Sequence, residues 1–135
     1  MNRTRRWLLS VITGGVLTLA ATSASATQPV VEIIAYAHPP VQSALKPLRD
    51  WLATQNGRVR VNEIDMDSAA AVKRLDALGL KGHIPVVVVV NGSYRYKRKD
   101  GTSVEFVGFP SGPGTPAGVR GIWSAQDVQA AIATR

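Results

Sequence analysis

The sequence predicts a single α/β domain in which a mixed sheet of four to five strands is flanked by helices. Apolar, β-branched runs at residues 30–36 and 86–90 are typical of buried strands. Apolar residues at helical spacing over 42–55 are typical of a helix with one buried face. Asp100-Gly101 lies between two strand-forming segments and predicts a hairpin. The 135 residues, 45% of them hydrophobic, are enough to form one core.

The first strand, over residues 30–36, is nearly all apolar, which predicts burial on both faces. Pro39 and Pro40 end this strand, and the helix over 42–55 follows. Pro47 lies inside the helix, where the missing N–H group predicts a kink.

The middle of the chain repeats this order. Residues 58–66 alternate apolar and polar side chains and predict a second strand. Asp67 or Ser68 caps a second helix, and Gly79 ends it. The five valines at 86–90 predict a central third strand. A strand–helix–strand unit predicts a parallel pair joined by a right-handed crossover.

The remaining part of the chain predicts a hairpin, a long loop and a last helix. Segments 93–99 and 103–109 form the hairpin, and residues 110–121 form an irregular loop rich in glycine and proline. Ser124 starts the last helix, with Asp127 at the capping-box position.

Residues 1–26 are expected to be a signal peptide, and residues 27–135 the folded domain. A basic start containing Arg5 and Arg6 precedes an apolar run, and Ala24-Ser25-Ala26 has the pattern of a cleavage site. The two arginines resemble the twin-arginine export signal, but general export leaders also carry two arginines, so both export routes stay open. The alternative is an uncleaved N-terminal anchor. We expect a periplasmic protein, with secretion as an alternative.

The composition excludes several classes of function. The chain has no cysteine, which excludes disulfides, thiolate nucleophiles and thiol redox chemistry. Without the leader, 13 basic residues face 9 acidic residues. This modest excess does not favour nucleic-acid binding, and we expect no membrane contact beyond the leader or a basic hairpin. No phosphate-binding loop, catalytic triad or carboxylate pair is recognisable, so we expect no enzyme.

The order of elements and several short motifs resemble the thioredoxin-like family. His38-Pro39-Pro40-Val41 occupies the place of the family's C-x-x-C motif after the first strand. His83-Ile84-Pro85, followed by valines and Asn91-Gly92, resembles the family's proline loop. Pro47 and Gly108 match further family positions.

The resemblance implies a fold, a cis-proline and a binding groove. Pro85 would be the cis-proline, and the preceding residue, Ile84, would pair its backbone with an extended polypeptide. The groove would be formed by His38, Pro39, Pro40, Val41, Ile84 and Pro85. Because both cysteines are replaced, we expect no oxidoreductase or disulfide isomerase activity. A proline that merely opens the strand is the alternative for Pro85.

The two histidines of the chain would flank the same groove. His38 and His83 could bind a metal with Met66 or Tyr36 as a third ligand, and imidazole with thioether favours copper. The alternative is that His38 caps the helix and His83 is a loop residue. No other cofactor is expected.

Two further features have alternative interpretations. Glu32 interrupts the first strand and is either a buried acid beneath the groove or a carboxylate near the start of the strand that is hydrated or paired with a lysine. Arg95, Lys97, Arg98 and Lys99 lie on the predicted hairpin. They either form a basic patch for an acidic partner or protect an edge strand against aggregation.

Three functions follow from this reasoning. The first is a redox-inactive module that binds a polypeptide or partner protein at the groove. The second is a periplasmic copper-binding protein that uses His38 and His83. The third is a subunit of an exported protein assembly, which would use the hairpin and the 110–121 loop.

Overall fold

The computed structural model describes residues 27–134. The predicted signal peptide lies outside the described residues. Eight elements follow in order: β1 (Val30–Ala35), α1 (Pro39–Ala53), β2 (Arg60–Asp65), α2 (Ala69–Leu78), β3 (Val86–Val90), β4 (Arg95–Lys97), β5 (Ser103–Glu105) and α3 (Ala125–Ala133). Within these residues, no helix combines the length and apolar character needed to cross a membrane.

The main sheet has three strands in the order β2-β1-β3. β1 runs parallel to β2 and antiparallel to β3, so that Val31 lies between Val61 and Val90. The parallel pair agrees with the predicted crossover through α1. Strands β4 and β5 form a separate antiparallel hairpin.

The structure confirms an α/β domain with a mixed sheet, but the main sheet has three strands instead of the predicted four or five. The segment after β5 adds only two hydrogen bonds to β3, from Val88 N to Phe106 O (2.9 Å) and from Gly108 N to Val86 O (2.8 Å). The Phe106 N–H donates instead to Tyr94 O, and Gly108 takes a left-handed conformation with φ of 82°. The pairing therefore stops after one bridge.

Two apolar clusters cover the opposite faces of the main sheet. The first packs the β1 and β3 side chains against α1 and α3 and contains Val31, Ile33, Val41, Leu45, Leu48, Val88, Phe106, Trp123 and Val128. The second packs the other face against α2 and contains Ile34, Met66, Ala71, Val87, Val89 and Tyr94. All five valines of β3 are buried, as their sequence predicts, but the prediction of a central strand is wrong, because β1 lies in the middle of the main sheet and β3 beside it.

The predicted helix caps are confirmed. The Ser68 hydroxyl accepts a hydrogen bond from Ala71 N, and Gly79 ends α2 with φ of 72°. Ser124 and Asp127 form a complete capping box at the start of α3. Helix α1 begins three residues earlier than predicted, at Pro39, because proline is well tolerated in the first turn.

Residues 110–121, here called the strap, cross the surface without helix or strand. The N–H of Ser111 donates to Trp123 O (2.6 Å), and the Trp123 indole N–H donates to Gly108 O (3.1 Å). Trp123 is fully buried and packs edge-on against Phe106, with ring centroids 5.7 Å apart. The buried indole thus fixes the segments on both sides of the strap.

The strap also touches α1 where that helix lacks a hydrogen bond. Pro47 has no N–H to donate to the carbonyl of Ser43, four residues earlier. Gly114 of the strap lies against the same carbonyl, and a Cβ atom built on Gly114 would be 2.2 Å from Ser43 O. Only glycine fits this approach.

The close contact predicts that Gly114→Ala destabilises the protein more than Gly118→Ala. Both glycines have positive φ (87° and 82°), but a Cβ at Gly118 meets no atom within 4 Å. Left-handed strain should lower the free energy of unfolding by about 1–2 kcal/mol in either variant. The clash should remove about 1–3 kcal/mol more in Gly114→Ala. Equal losses in urea unfolding would show that the strap moves freely away from α1.

Candidate functional site

Three aromatic rings meet at the carboxyl end of β1. Tyr36 stacks on His38, with ring centroids 5.4 Å apart, and on His83, with centroids 5.5 Å apart. The Tyr36 hydroxyl lies 3.5 Å from His83 Nδ1. Tyr36 is half-buried and both histidines are exposed. The structure therefore brings the two histidines to one place, as expected, and puts a tyrosine in contact with both.

The main chain explains this convergence. Tyr36 directly follows β1, and its N–H donates to Pro85 O (3.3 Å), which extends the pairing of β1 with β3 by one residue. His38 is the N-cap residue of α1 and forms no side-chain cap. The end of β1, the start of α1 and the loop before β3 thus meet at one edge of the domain.

The prediction of a cis-proline at position 85 is wrong. No peptide bond in residues 27–134 is cis, so the Ile84–Pro85 bond is trans. The trans form is the lower-energy isomer of an X–Pro bond. The Pro85 carbonyl accepts the hydrogen bond from the Tyr36 N–H, so the end of this loop continues the pairing of β3 with β1.

The predicted groove residues divide into surface and core positions. His38, Pro39 and Pro40 are exposed, and Ile84 and Pro85 are half-buried. Val41 is fully buried in the cluster beneath α1. The assignment of Val41 to the groove is therefore wrong, since the first turn of α1 directs this side chain into the core.

The backbone of Ile84 is unpaired. Within residues 27–134, neither its N–H nor its C=O makes a hydrogen bond, whereas the next carbonyl, that of Pro85, is bonded to Tyr36. The Ile84 side chain packs against the α2-side cluster. Ile84 therefore offers one free donor and one free acceptor next to the three stacked rings.

The metal hypothesis has few candidate ligands. In the part of the chain that the structure describes, no group of three or more His, Cys, Asp or Glu side chains could hold an ion. Met66 is 7% exposed and lies in the apolar cluster with Ile34 and Ala71. Apolar side chains therefore enclose the proposed thioether ligand.

Glu32 is paired. Its carboxylate accepts two hydrogen bonds from the Arg74 guanidinium, at 2.9 and 2.6 Å, and its side chain is 16% exposed. This bidentate pair joins β1 to α2. It agrees with the alternative of a paired carboxylate, but the partner is Arg74 of the second helix and not the predicted lysine.

Two of the four residues of the predicted basic patch on the hairpin are paired with acids. Arg95 pairs with Glu105 across the hairpin, and Arg98 makes two 2.8 Å hydrogen bonds to Asp127 on α3. Lys97 and Lys99 are exposed and make no salt bridge among the described residues. The hairpin thus presents two free cations, and Arg98 fixes it to α3. Sequence reasoning did not separate these two roles.

A second polar cleft was not predicted. Arg49 of α1 donates two hydrogen bonds to Glu63 of β2, at 2.8 and 2.7 Å, and a third to Gln42 Oε1. Gln42 in turn donates to Tyr36 O (2.7 Å). A cleft of about 250 Å³ lies beside this network. The seven-residue spacing of Gln42 and Arg49 indicates one face of a helix, but no sequence pattern indicates Glu63.

Comparisons of the chain with protein-family models, curated proteins and solved structures find no match.

The Arg98–Asp127 contact predicts an acid-sensitive link between the hairpin and α3. Hydrogen bonds from Arg98, and secondarily from Ser124, hold the pKa of Asp127 below its ordinary value. The stabilisation is therefore complete above the ordinary carboxyl range and is lost as the pH falls through the lowered pKa. We expect Asp127→Asn to lower the free energy of unfolding by about 1–2 kcal/mol at neutral pH.

The measurement is urea unfolding at neutral pH and at a pH well below the ordinary carboxyl range. The difference between the original protein and Asp127→Asn should disappear in acid. Asp76→Asn, at an exposed carboxylate without a salt bridge in the described residues, is the control and should change little. A deficit of Asp127→Asn that is equal at both pH values would contradict this prediction.

Proposed function

We propose that the chain is an exported, thioredoxin-like binding module without redox activity, which holds an extended polypeptide at the groove between His38 and Ile84. The free backbone donor and acceptor of Ile84 carry the proposal. An extended peptide can pair with both groups and add a short strand to the domain.

The three stacked rings support the proposal. Tyr36, His38 and His83 form a surface with apolar faces and polar edges beside Ile84. Aromatic surfaces of this kind bind side chains with little loss of conformational entropy. Pro39 and Pro40 add two exposed, rigid side chains at the start of α1. The ring faces would bind an apolar or aromatic side chain of the peptide, and the imidazole nitrogens would form its polar contacts.

The thioredoxin-like part of the proposal is supported by chain order. The parallel pair β1–β2, the antiparallel β3 and the helices on both faces have the arrangement that the resemblance implies. The absence of cysteine removes the chemistry of that family and leaves its binding mode.

The proposal predicts that peptide ligands selected on the protein lose affinity when the groove is altered. The probe is a random linear peptide library displayed on phage, followed by affinity measurements on selected synthetic peptides. His38→Ala should weaken binding about threefold to tenfold through the loss of one ring. Ile84→Pro removes the free N–H and should weaken binding further. Val72→Ala, at an exposed position on α2, is the control. Equal affinity in all variants would refute the groove as the site.

A copper-binding function is the second candidate, because both histidines contact the same tyrosine. It predicts one-to-one binding in a Cu(I) and Cu(II) titration, lost in His38→Ala and in His83→Ala. Met66→Leu tests the buried thioether, since leucine nearly preserves its volume. An absence of binding, or binding that survives the loss of both histidines, would contradict this candidate.

A further inference from the structure

The polar cleft beside Arg49 adjoins the proposed peptide groove. Ala37 lines this cleft of about 250 Å³ and lies in the chain between Tyr36 and His38, two of the stacked residues of the groove. Gln42 also lines it and donates a hydrogen bond to Tyr36 O (2.7 Å). The cleft lies toward β2 and the loop before β3 lies toward the other side of β1. A peptide that continues from the rings past Ala37 therefore reaches the cleft.

The cleft lies at the carboxyl end of the parallel pair of strands. Asp65, the last residue of β2, is paired in register with Ala35, the last residue of β1. Neighbours in a ladder point to the same face, and Ala35 belongs to the cluster beneath α1. Asp65 therefore lies on the α1 side of the sheet, where the cleft opens. Open α/β sheets commonly bind ligands outside the carboxyl ends of their parallel strands.

The charged side chains that line the cleft leave one negative charge unmatched. Arg49 and Glu63 neutralise each other through two hydrogen bonds of 2.8 and 2.7 Å. Asp65 is exposed and makes no salt bridge within residues 27–134. Its Oδ1 accepts a hydrogen bond from the backbone N–H of Asp67 (3.0 Å), which leaves its other oxygen for a ligand.

A cationic side chain is the complement of this cleft. Lysine and arginine carry a charged group on a long aliphatic stem, and the stem packs well against small apolar side chains. Ala35 and Ala37 supply such a surface beside the carboxylate of Asp65. We propose that the cleft binds a lysine or arginine side chain of the polypeptide held in the groove, with Asp65 as its counter-ion. This inference rests on the proposed function, because the groove holds the backbone that brings the side chain to the cleft.

An acidic side chain does not suit the cleft. The Arg49 guanidinium is already engaged by Glu63 and by Gln42 Oε1, so an incoming carboxylate would meet the unmatched charge of Asp65. The net charge of the protein has the opposite effect. Residues 27–135 contain 13 basic and 9 acidic residues, so the protein as a whole attracts acidic ligands. A preference for basic peptides therefore requires a local cause.

The first test is a selection from a random linear peptide library displayed on phage. It is run in parallel on the original protein, on Asp65→Asn and on Asp67→Asn. Asp65→Asn removes the charge and keeps an oxygen for the Asp67 N–H. Asp67→Asn is the matched control, because Asp67 is an exposed acid two residues away that does not line the cleft. Peptides from the original protein and from Asp67→Asn should be enriched in lysine and arginine, and peptides from Asp65→Asn should not.

The second test measures the coupling between Asp65 and the peptide. In a synthetic peptide from the selection, the basic residue is replaced by glutamine. The replacement should weaken binding to the original protein about threefold, as expected for an exposed ion pair, and should have no effect on Asp65→Asn. Asp65→Lys should reject the basic peptide and bind the same peptide better when its basic residue is replaced by glutamate. An effect of shape alone would not be reversed in this way.

Two results would overturn the inference while the groove remains. They are an equal enrichment of basic residues on all three proteins, and a glutamine replacement that costs the same on the original protein and on Asp65→Asn. In both cases His38→Ala would still weaken binding. If instead the coupling to Asp65 is found and His38→Ala has no effect, the groove is refuted and the cation site stands by itself. A library that yields no binding peptide would refute both.

Discussion

β1 is the constraint on which the rest of the structure depends. It is paired along both of its edges, with parallel β2 on one side and antiparallel β3 on the other. It is also covered on both faces, since Ile33 packs under α1 while Ile34 packs under α2. Both the edges and the faces of β1 are therefore fixed by neighbours. A shift of one residue would exchange the two faces and put Glu32 into the position of a core side chain.

The ends of β1 set the positions of the surface features. At its start, the Val30 N–H donates to Asn91 Oδ1, and the Asn91 N–H donates to Val30 O, which closes the turn after β3. At its end, Tyr36 continues the pairing with Pro85 and carries the stacked histidines. The hydrogen bonds between β1 and β3 thus position the residues of the proposed groove.

The sequence predicted those parts of the fold that depend on local pattern. The valines of β3, the Ser68 cap, the Gly79 stop and the box of Ser124 with Asp127 all follow from residues that are close in the chain. The number of strands in the main sheet could not be predicted from local pattern. The Phe106 N–H donates to Tyr94 O within the hairpin, so the segment after β5 does not continue the main sheet.

The site was predictable only in part, for the same physical reason. The resemblance placed His38 and His83 together, and this holds. It implied a cis bond before Pro85, whereas the structure has a trans bond there. The Arg49–Glu63 pair joins a helix to a strand after a turn, and its partners have no fixed sequence spacing. Polar pairs between elements become visible only when the elements are packed.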